Sequence, residues 1–96
     1  MIVPATANTI SKLANGMADN LVTSTAIATT AKVVVCLAMN HNMYHHKAVE
    51  KNIETLKSYG YEIVDARPGL LACGTVGDGC LADNETILET IKNQLK

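Results

Sequence analysis

A glycine-rich stretch near the carboxyl end of the chain, residues 69–79, contains one cysteine, Cys73, and one charged residue. Glycine opens backbone conformations that other residues rarely adopt, so this stretch is predicted to be a mobile loop. A mobile loop with one thiol can close over a ligand and bring a proton donor or a nucleophile to it. An inert buried thiol is the commoner fate of cysteine, and Cys36, inside an apolar run, fits that interpretation better than Cys73 does.

A polar patch at residues 6–9 follows a short apolar run near the amino end and precedes a helical pattern. Unpaired N–H groups at a helix start attract anions, and the Thr and Asn side chains add hydrogen bonds. A phosphate or the polar edge of a cofactor fits such a patch. Ordinary helix capping uses the same residue types, so both interpretations stay open.

A second patch, residues 38–44, follows the apolar run 33–37. The Asn40 side chain can hold a carboxylate or a carbonyl, and the thioethers of Met39 and Met43 can line an apolar ligand. Taken alone, the pattern favours the simpler interpretation, a loop with two core methionines.

Three histidines, His41, His45 and His46, raise the question of a metal site. His41 and His45 lie four residues apart and would share one face of a helix. Zinc sites normally show paired ligands at short spacing, and no second pair of that kind is visible. The sequence therefore predicts no metal ligands and assigns the histidines to a solvated helix start.

The elements that must position these patches alternate between strand and helix. The β-branched run 33–37 is typical of a strand buried on both faces. A strand that Pro4 closes comes before it, and a strand over residues 61–64 comes after it. Helices are predicted to start at Asn8 or Thr9, to span Leu21–Ala28, to run from Met43 or His46 to Gly60, and to start again at Asp83 or Asn84.

This order predicts an α/β fold with a three-stranded parallel sheet and right-handed crossovers. Three strands are few for such a fold, and the sheet looks cut at its amino-terminal side. The exposed sheet edge would then need another chain segment.

Composition narrows the class of protein. The 96 residues suffice for one small domain, with 48% hydrophobic residues and a net charge of −1. Arg67 is the sole arginine, and no basic block suits nucleic acid or an anionic membrane surface. Three cysteines without paired spacing indicate reduced thiols and a cytoplasmic setting. No apolar run approaches the roughly 20 residues of a membrane span.

The three patches together resemble the flavin-dependent phosphopantothenoylcysteine decarboxylases of coenzyme A biosynthesis. Residues 4–9 (PATANT) resemble that family's PASANT motif, with Thr6 in place of serine. Residues 37–44 (LAMNHNMY) resemble its PxMNxxMW motif, with Leu37 in place of proline and Tyr44 in place of tryptophan. Residues 69–74 (GLLACG) resemble its substrate clamp, so the clamp loop is expected over residues 66–83.

The resemblance implies a flavodoxin-like (Rossmann-like) three-layer fold that binds flavin mononucleotide (FMN) at the subunit interfaces of a homotrimer. It covers nearly all of the chain but only about half of the family domain. Residues 1–96 are therefore expected to be a partial flavoprotein domain, its carboxyl-terminal half. The family's Gly-Ser flavin loop and upstream catalytic histidine have no match here, and none of the three histidines stands at that position.

The chemistry implied by the resemblance is a carbon–carbon lyase reaction. FMN oxidises the cysteinyl thiol of 4′-phosphopantothenoylcysteine, so the neighbouring carboxylate leaves as carbon dioxide. Asn40 is expected to bind that carboxylate, and Cys73 to protonate the enethiol intermediate, which yields 4′-phosphopantetheine. The implied FMN contacts are Thr6, Ala7, Asn8, Thr9 and Ala38, and the implied substrate contacts are Asn40, Met43, Leu71 and Ala72.

Three hypotheses follow for the chain itself. It is a half domain that becomes active when another chain supplies the missing half, a non-catalytic subunit of a mixed flavoprotein oligomer, or an inactive remnant. Arg67 beside the clamp is one guess for the cation that binds the substrate phosphate, against the simpler interpretation of a solvent-facing arginine.

Overall fold

The computed structural model of the chain describes residues 1–70 and 76–94. Within these ranges the chain forms five strands and five helices. In chain order they are β1 (Ile2–Ala5), α1 (Ala7–Ala14), α2 (Leu21–Ala28), β2 (Val34–Leu37), α3 (His41–Tyr44), α4 (Lys47–Ser58), β3 (Glu62–Val64), β4 (Arg67–Leu70), β5 (Val76–Cys80) and α5 (Asn84–Gln94).

The predicted parallel sheet is present in the order β1-β2-β3. Strand β2 is central, with Val35 opposite Ile63 on one side and opposite Ile2 on the other. All four residues of β2 are buried, as the continuous apolar run predicts for a strand covered on both faces.

The two faces of β2 pack against different helices, which gives three layers. Val35 and Leu37 belong to a core cluster with Ile10 of α1 and Leu56 of α4. The alternate residues Val34 and Cys36 belong to a second cluster with Ala82 and with Ile87 of α5. Successive side chains of a strand point to opposite faces, so one apolar run serves both cores.

Two predicted element boundaries, at β1 and at α1, are wrong. Pro4 lies inside β1 rather than after it, because β1 is an edge strand and can spare a ladder donor. The cap of α1 is Thr6, so the helix begins earlier than Asn8 or Thr9 would allow. Of the two predicted starts of the third helix, His46 is correct, because its side chain caps α4, whereas Met43 lies in the separate short helix α3. Gly60, at φ +90°, follows the end of α4 as expected.

The glycine-rich stretch also differs from the prediction of one continuous loop. Strands β4 and β5 pair antiparallel, with Gly69 opposite Gly77, and form the two sides of a hairpin. The clamp expected over residues 66–83 contains this hairpin, and its function as a clamp stays a prediction. Backbone hydrogen bonds form the ladder, and glycine donates and accepts them as other residues do. Residues 71–75, with Cys73, lie outside the described residues.

Among the residues that the structure describes, no helix combines the length and the apolar character needed to cross a lipid bilayer.

Candidate functional site

The 6–9 and 38–44 patches begin side by side at one edge of the sheet. Strands β1 and β2 are parallel, so their carboxyl ends lie at the same edge. The pairing continues past the strand ends, because the Ala38 N–H donates a hydrogen bond of 3.1 Å to the Ala5 carbonyl. Open α/β sheets bind ligands outside the carboxyl ends of their strands. The fold therefore brings both predicted patches to a position suited to one ligand.

The 6–9 patch forms the start of α1. The Thr6 side chain accepts a hydrogen bond of 3.3 Å from the Thr9 N–H, and its hydroxyl lies 3.3 Å from the Thr9 hydroxyl. Ala7 and Asn8 occupy the first helical positions, where backbone N–H groups have no partner within the helix. Capping and an anion-attracting helix start thus occur together at this patch.

Asn40 caps the short helix α3. Its Oδ1 accepts hydrogen bonds from the Asn42 N–H at 2.8 Å and the Met43 N–H at 3.4 Å. The side chain itself is exposed. These bonds fix the plane of the amide, so Nδ2 is the group that would recognise a carboxylate. Met43, whose backbone N–H makes the second of these bonds, lies on α3 and is 48% exposed.

The hairpin is attached through strand β5 to residues 38–40, which connect β2 to α3 and are called the Asn40 loop. The Met39 N–H donates a hydrogen bond of 2.8 Å to the Gly79 carbonyl. A Cβ on Gly79 would lie 1.7 Å from the Met39 oxygen, so only glycine permits this approach. A Cβ on Gly77 would likewise lie 2.6 Å from the His41 Cβ. The two glycines of β5 therefore set the position of the hairpin against Asn40.

The predicted site residues are brought together in part. Thr6, Ala7, Asn8, Thr9, Ala38, Asn40 and Met43 all lie at, or directly after, the carboxyl ends of β1 and β2. Cys73, Leu71 and Ala72 lie outside the described residues, so their place in the site stays a prediction. Both sides of the hairpin that carries them are described, and β5 contacts the Asn40 loop.

Tyr44, where the resembling family has tryptophan, packs against the larger core cluster. Burial raises the pKa of the Tyr44 hydroxyl, and the negative charges of Asp65 and Asp78 raise it further, against a backbone hydrogen bond at Ala66 that lowers it. The phenol therefore stays neutral at physiological pH and serves as a hydrogen-bond donor or acceptor rather than as a base.

Two other cysteines are described. Cys36 is fully buried in β2, and burial raises the pKa of its thiol, against the attraction of the amino terminus. This confirms the interpretation of Cys36 as an inert core residue. Cys80 is partly exposed at the end of β5.

The structure also brings together His41, His45 and Asp78, three residues that no sequence pattern linked as a group. His45 Nε2 lies 2.7 Å from Asp78 Oδ2, and His41 Nδ1 lies 3.8 Å from the same oxygen. The Asp78 N–H donates a hydrogen bond of 3.0 Å to His41 Nδ1. The prediction of no metal ligands depended on the absence of a partner for the two histidines. No spacing signal could supply one, because Asp78 is 37 residues from His41 and meets it through the hairpin.

Comparison with known proteins adds to this geometry. The family model described as Flavoprotein matches residues 1–96. A probable phosphopantothenoylcysteine decarboxylase of Streptococcus mutans is 44% identical over 97 residues, a match that covers 99% of the chain and 54% of the relative.

Solved structures give the same picture. A PPC decarboxylase mutant complexed with pantothenoylaminoethenethiol superposes with a TM-score of 0.91 at 32% identity, over 96% of the chain and 52% of its own length. The FMN binding protein AtHal3 superposes with a TM-score of 0.83 at 33% identity, over 96% of the chain and 51% of its own. These matches confirm the flavodoxin-like architecture.

The chain spans about half the length of each of these three proteins. The family model nevertheless matches the chain from its first residue to its last, across both patches and the hairpin. The chain belongs to the Flavoprotein family.

Proposed function

We propose that the chain is the carboxyl-terminal half of an FMN-dependent phosphopantothenoylcysteine decarboxylase, a lyase of coenzyme A biosynthesis. One observation carries the proposal: the 6–9 patch, the Asn40 loop and the hairpin meet at the carboxyl edge of one parallel sheet. The homologues named above carry that activity or that cofactor in their names.

FMN is the cofactor in this proposal, and the residues present suit it. The start of α1 offers the hydroxyls of Thr6 and Thr9 and backbone donors at Ala7 and Asn8, a donor set for an anionic or carbonyl-bearing group. Ala38 follows the last residue of β2 and bonds to Ala5 at the end of β1, and its small side chain would leave room for a flat ring. When bound, the flavin supplies the oxidation and the returning hydride that the conversion needs.

Asn40 binds the substrate carboxylate that leaves as carbon dioxide. The cap bonds hold its amide in one orientation before substrate arrives, so little rotamer entropy is lost on binding. Met43 offers an adjacent apolar surface to the pantothenoyl part of the substrate. Leu71 and Ala72, within the hairpin, are assigned to the same substrate.

Cys73 protonates the enethiol carbon skeleton after decarboxylation. The role needs a thiol at the end of an element that covers the ligand and excludes water. The hairpin is such an element, because it is attached at Gly79 to the loop that holds Asn40. The carboxylate-binding amide and the proton donor would then act from two sides of one substrate.

A further chain segment completes the site. Strand β1 is an edge strand, and an open groove of about 410 Å³ runs beside it, lined partly by Met1, Leu21 and Val22. Leu21 is 83% exposed and Val3 42%. An unpaired edge with apolar neighbours suits another strand and its covering helix. We assign this surface to a complementing amino-terminal half, within a trimer-based cytoplasmic assembly.

The test is reconstitution. The chain is mixed with a separately produced amino-terminal half of the Streptococcus mutans relative, FMN and 4′-phosphopantothenoylcysteine, and carbon dioxide release is measured. We expect activity from the mixture and weak or no FMN binding by the chain alone.

Three results would contradict the half-domain proposal. A tight yellow complex of the isolated chain with FMN would remove the need for a second segment. A mixed complex that binds FMN but releases no carbon dioxide would favour the alternative that the exposed β1 edge also permits, a non-catalytic subunit of a mixed oligomer. No complex at all would favour an inactive remnant.

A further inference from the structure

A cluster of three side chains links helix α3 to the hairpin beside the proposed active site. His41 and His45 come from α3 and its carboxyl-terminal cap, and Asp78 comes from β5. One donor atom from each residue lies within 4.8 Å of the other two. We propose that His41, His45 and Asp78 bind one divalent transition-metal ion, of the class of Zn²⁺ or Co²⁺, and so hold the hairpin against α3.

The donor set selects this class of ion. Two imidazoles and one carboxylate suit zinc and its first-row neighbours, whereas Mg²⁺ and Ca²⁺ take oxygen ligands almost alone. Tetrahedral zinc with bonds of about 2.0–2.1 Å places its ligand atoms about 3.3 Å apart. The observed separations from Asp78 Oδ2, 2.7 Å to His45 and 3.8 Å to His41, lie on either side of that value.

The backbone already holds the three residues together. Gly77 permits the close approach of β5 to His41, and the Asp78 N–H bonds to the His41 ring. The His41 and His45 rings contact edge to face, with centroids 4.7 Å apart. Metal binding therefore requires small side-chain rotations and the exchange of two hydrogen bonds for metal–ligand bonds, rather than refolding of a loop.

The site is open to solvent on one side. The three side chains are each between 43% and 48% exposed. An ion held there would keep water at its remaining positions, which is the arrangement of three protein ligands plus an open position. Its binding energy would stabilise the contact between α3 and β5, and β5 is one side of the hairpin that carries Cys73.

The experiment is calorimetric titration of the 96-residue chain with Zn²⁺. We expect saturable binding of one ion per chain. His45→Gln and Asp78→Asn are expected to weaken binding by about tenfold or more, since each removes one of three ligands. His46→Asn is the matched control, because His46 is exposed, adjacent in sequence and absent from the cluster, and asparagine can replace its cap of α4.

Titration with Co²⁺ identifies the ligands independently. A visible spectrum without thiolate-to-metal charge transfer supports nitrogen and oxygen ligands, whereas a charge-transfer band would assign the ion to cysteine and overturn the proposal. The proposal also fails if the wild-type chain shows no saturable Zn²⁺ binding, or if His46→Asn weakens binding as much as His45→Gln does. Equal Zn²⁺ affinity in wild type, His45→Gln and Asp78→Asn would also overturn the proposal, because hydrogen bonds alone would then account for the cluster.

Discussion

Replacing Gly79 with alanine tests how the hairpin is attached to the Asn40 loop. The added methyl group would stand 1.7 Å from the Met39 oxygen and 2.7 Å from the Met39 carbonyl carbon, both backbone atoms. Non-bonded heavy atoms prefer about 3.5–4.0 Å, so the two backbones must separate by more than about 1 Å. That separation breaks the hydrogen bond from the Met39 N–H to the Gly79 carbonyl.

The decrease in the free energy of unfolding should depend on whether the hairpin of the variant stays attached to Met39 or detaches from it. The lost hydrogen bond contributes about 1 kcal/mol. Overlap in a packed region typically costs about 1–3 kcal/mol. If the hairpin stays attached, Gly79→Ala therefore lowers the free energy of unfolding by about 2–4 kcal/mol. If the hairpin detaches, the global loss is smaller and the damage is local to Met39.

Urea denaturation measures the global change, and amide hydrogen exchange at Met39 measures the local one. In both outcomes the Met39 amide should exchange at least about tenfold faster. If the hairpin only detaches locally, the exchange rate of Val35 in the centre of the sheet should not change. Gly69→Ala is the control in the same hairpin, because its Cβ would meet side-chain ends, the Cys80 Sγ at 3.1 Å and an Arg67 nitrogen at 3.4 Å. Unchanged Met39 exchange with unchanged stability in Gly79→Ala would refute the attachment.

Substitutions at three further residues test other parts of the chain. Thr6→Ala should lower the free energy of unfolding by about 1 kcal/mol in urea titration, because it removes the cap of α1, and Thr6→Ser should restore it. Asn40→Asp keeps an oxygen for the α3 cap but repels a carboxylate, so the chain should fold normally by circular dichroism while the reconstituted enzyme loses substrate binding. Hydrogen bonds from the Thr86 N–H and hydroxyl lower the pKa of Asp83 below its ordinary 3.8, so its stabilisation is complete above that pH and is lost as the pH falls through the lowered pKa. Asp83→Asn should abolish that part of the acid dependence in pH-dependent unfolding.

The parallel sheet and its strand buried on both faces followed from the hydrophobic pattern, whereas the three-layer fold was implied by the family resemblance. The β-branched run 33–37 predicts a central strand, and Val34 with Val35 shows why: neighbouring residues on opposite faces enter different cores. The convergence of the 6–9 and 38–44 patches also followed, since parallel strands place their carboxyl ends at one edge. These features depend on short-range periodicity, which a single sequence carries.

The features that the sequence did not predict depend on contacts between distant segments. The glycines of β5 indicated a loop from sequence. In the structure they leave space for Met39 and His41, some 40 residues earlier, and this contact is not visible in the local sequence. Asp78 joined the histidines for the same reason. Strand β1 continues through Pro4 because its edge position, a tertiary property, allows it, and the cap of α1 at Thr6 follows directly after the strand.

The central claim is that Asn40 and Cys73 act in succession on one substrate. Single-turnover assays of the reconstituted enzyme test it by following carbon dioxide and thiol products separately in Asn40→Asp and Cys73→Ser. We expect Asn40→Asp to release no carbon dioxide, and Cys73→Ser to release it at the wild-type extent while the enethiol accumulates. Full conversion to 4′-phosphopantetheine by Cys73→Ser, or normal carbon dioxide release by Asn40→Asp, would contradict the account.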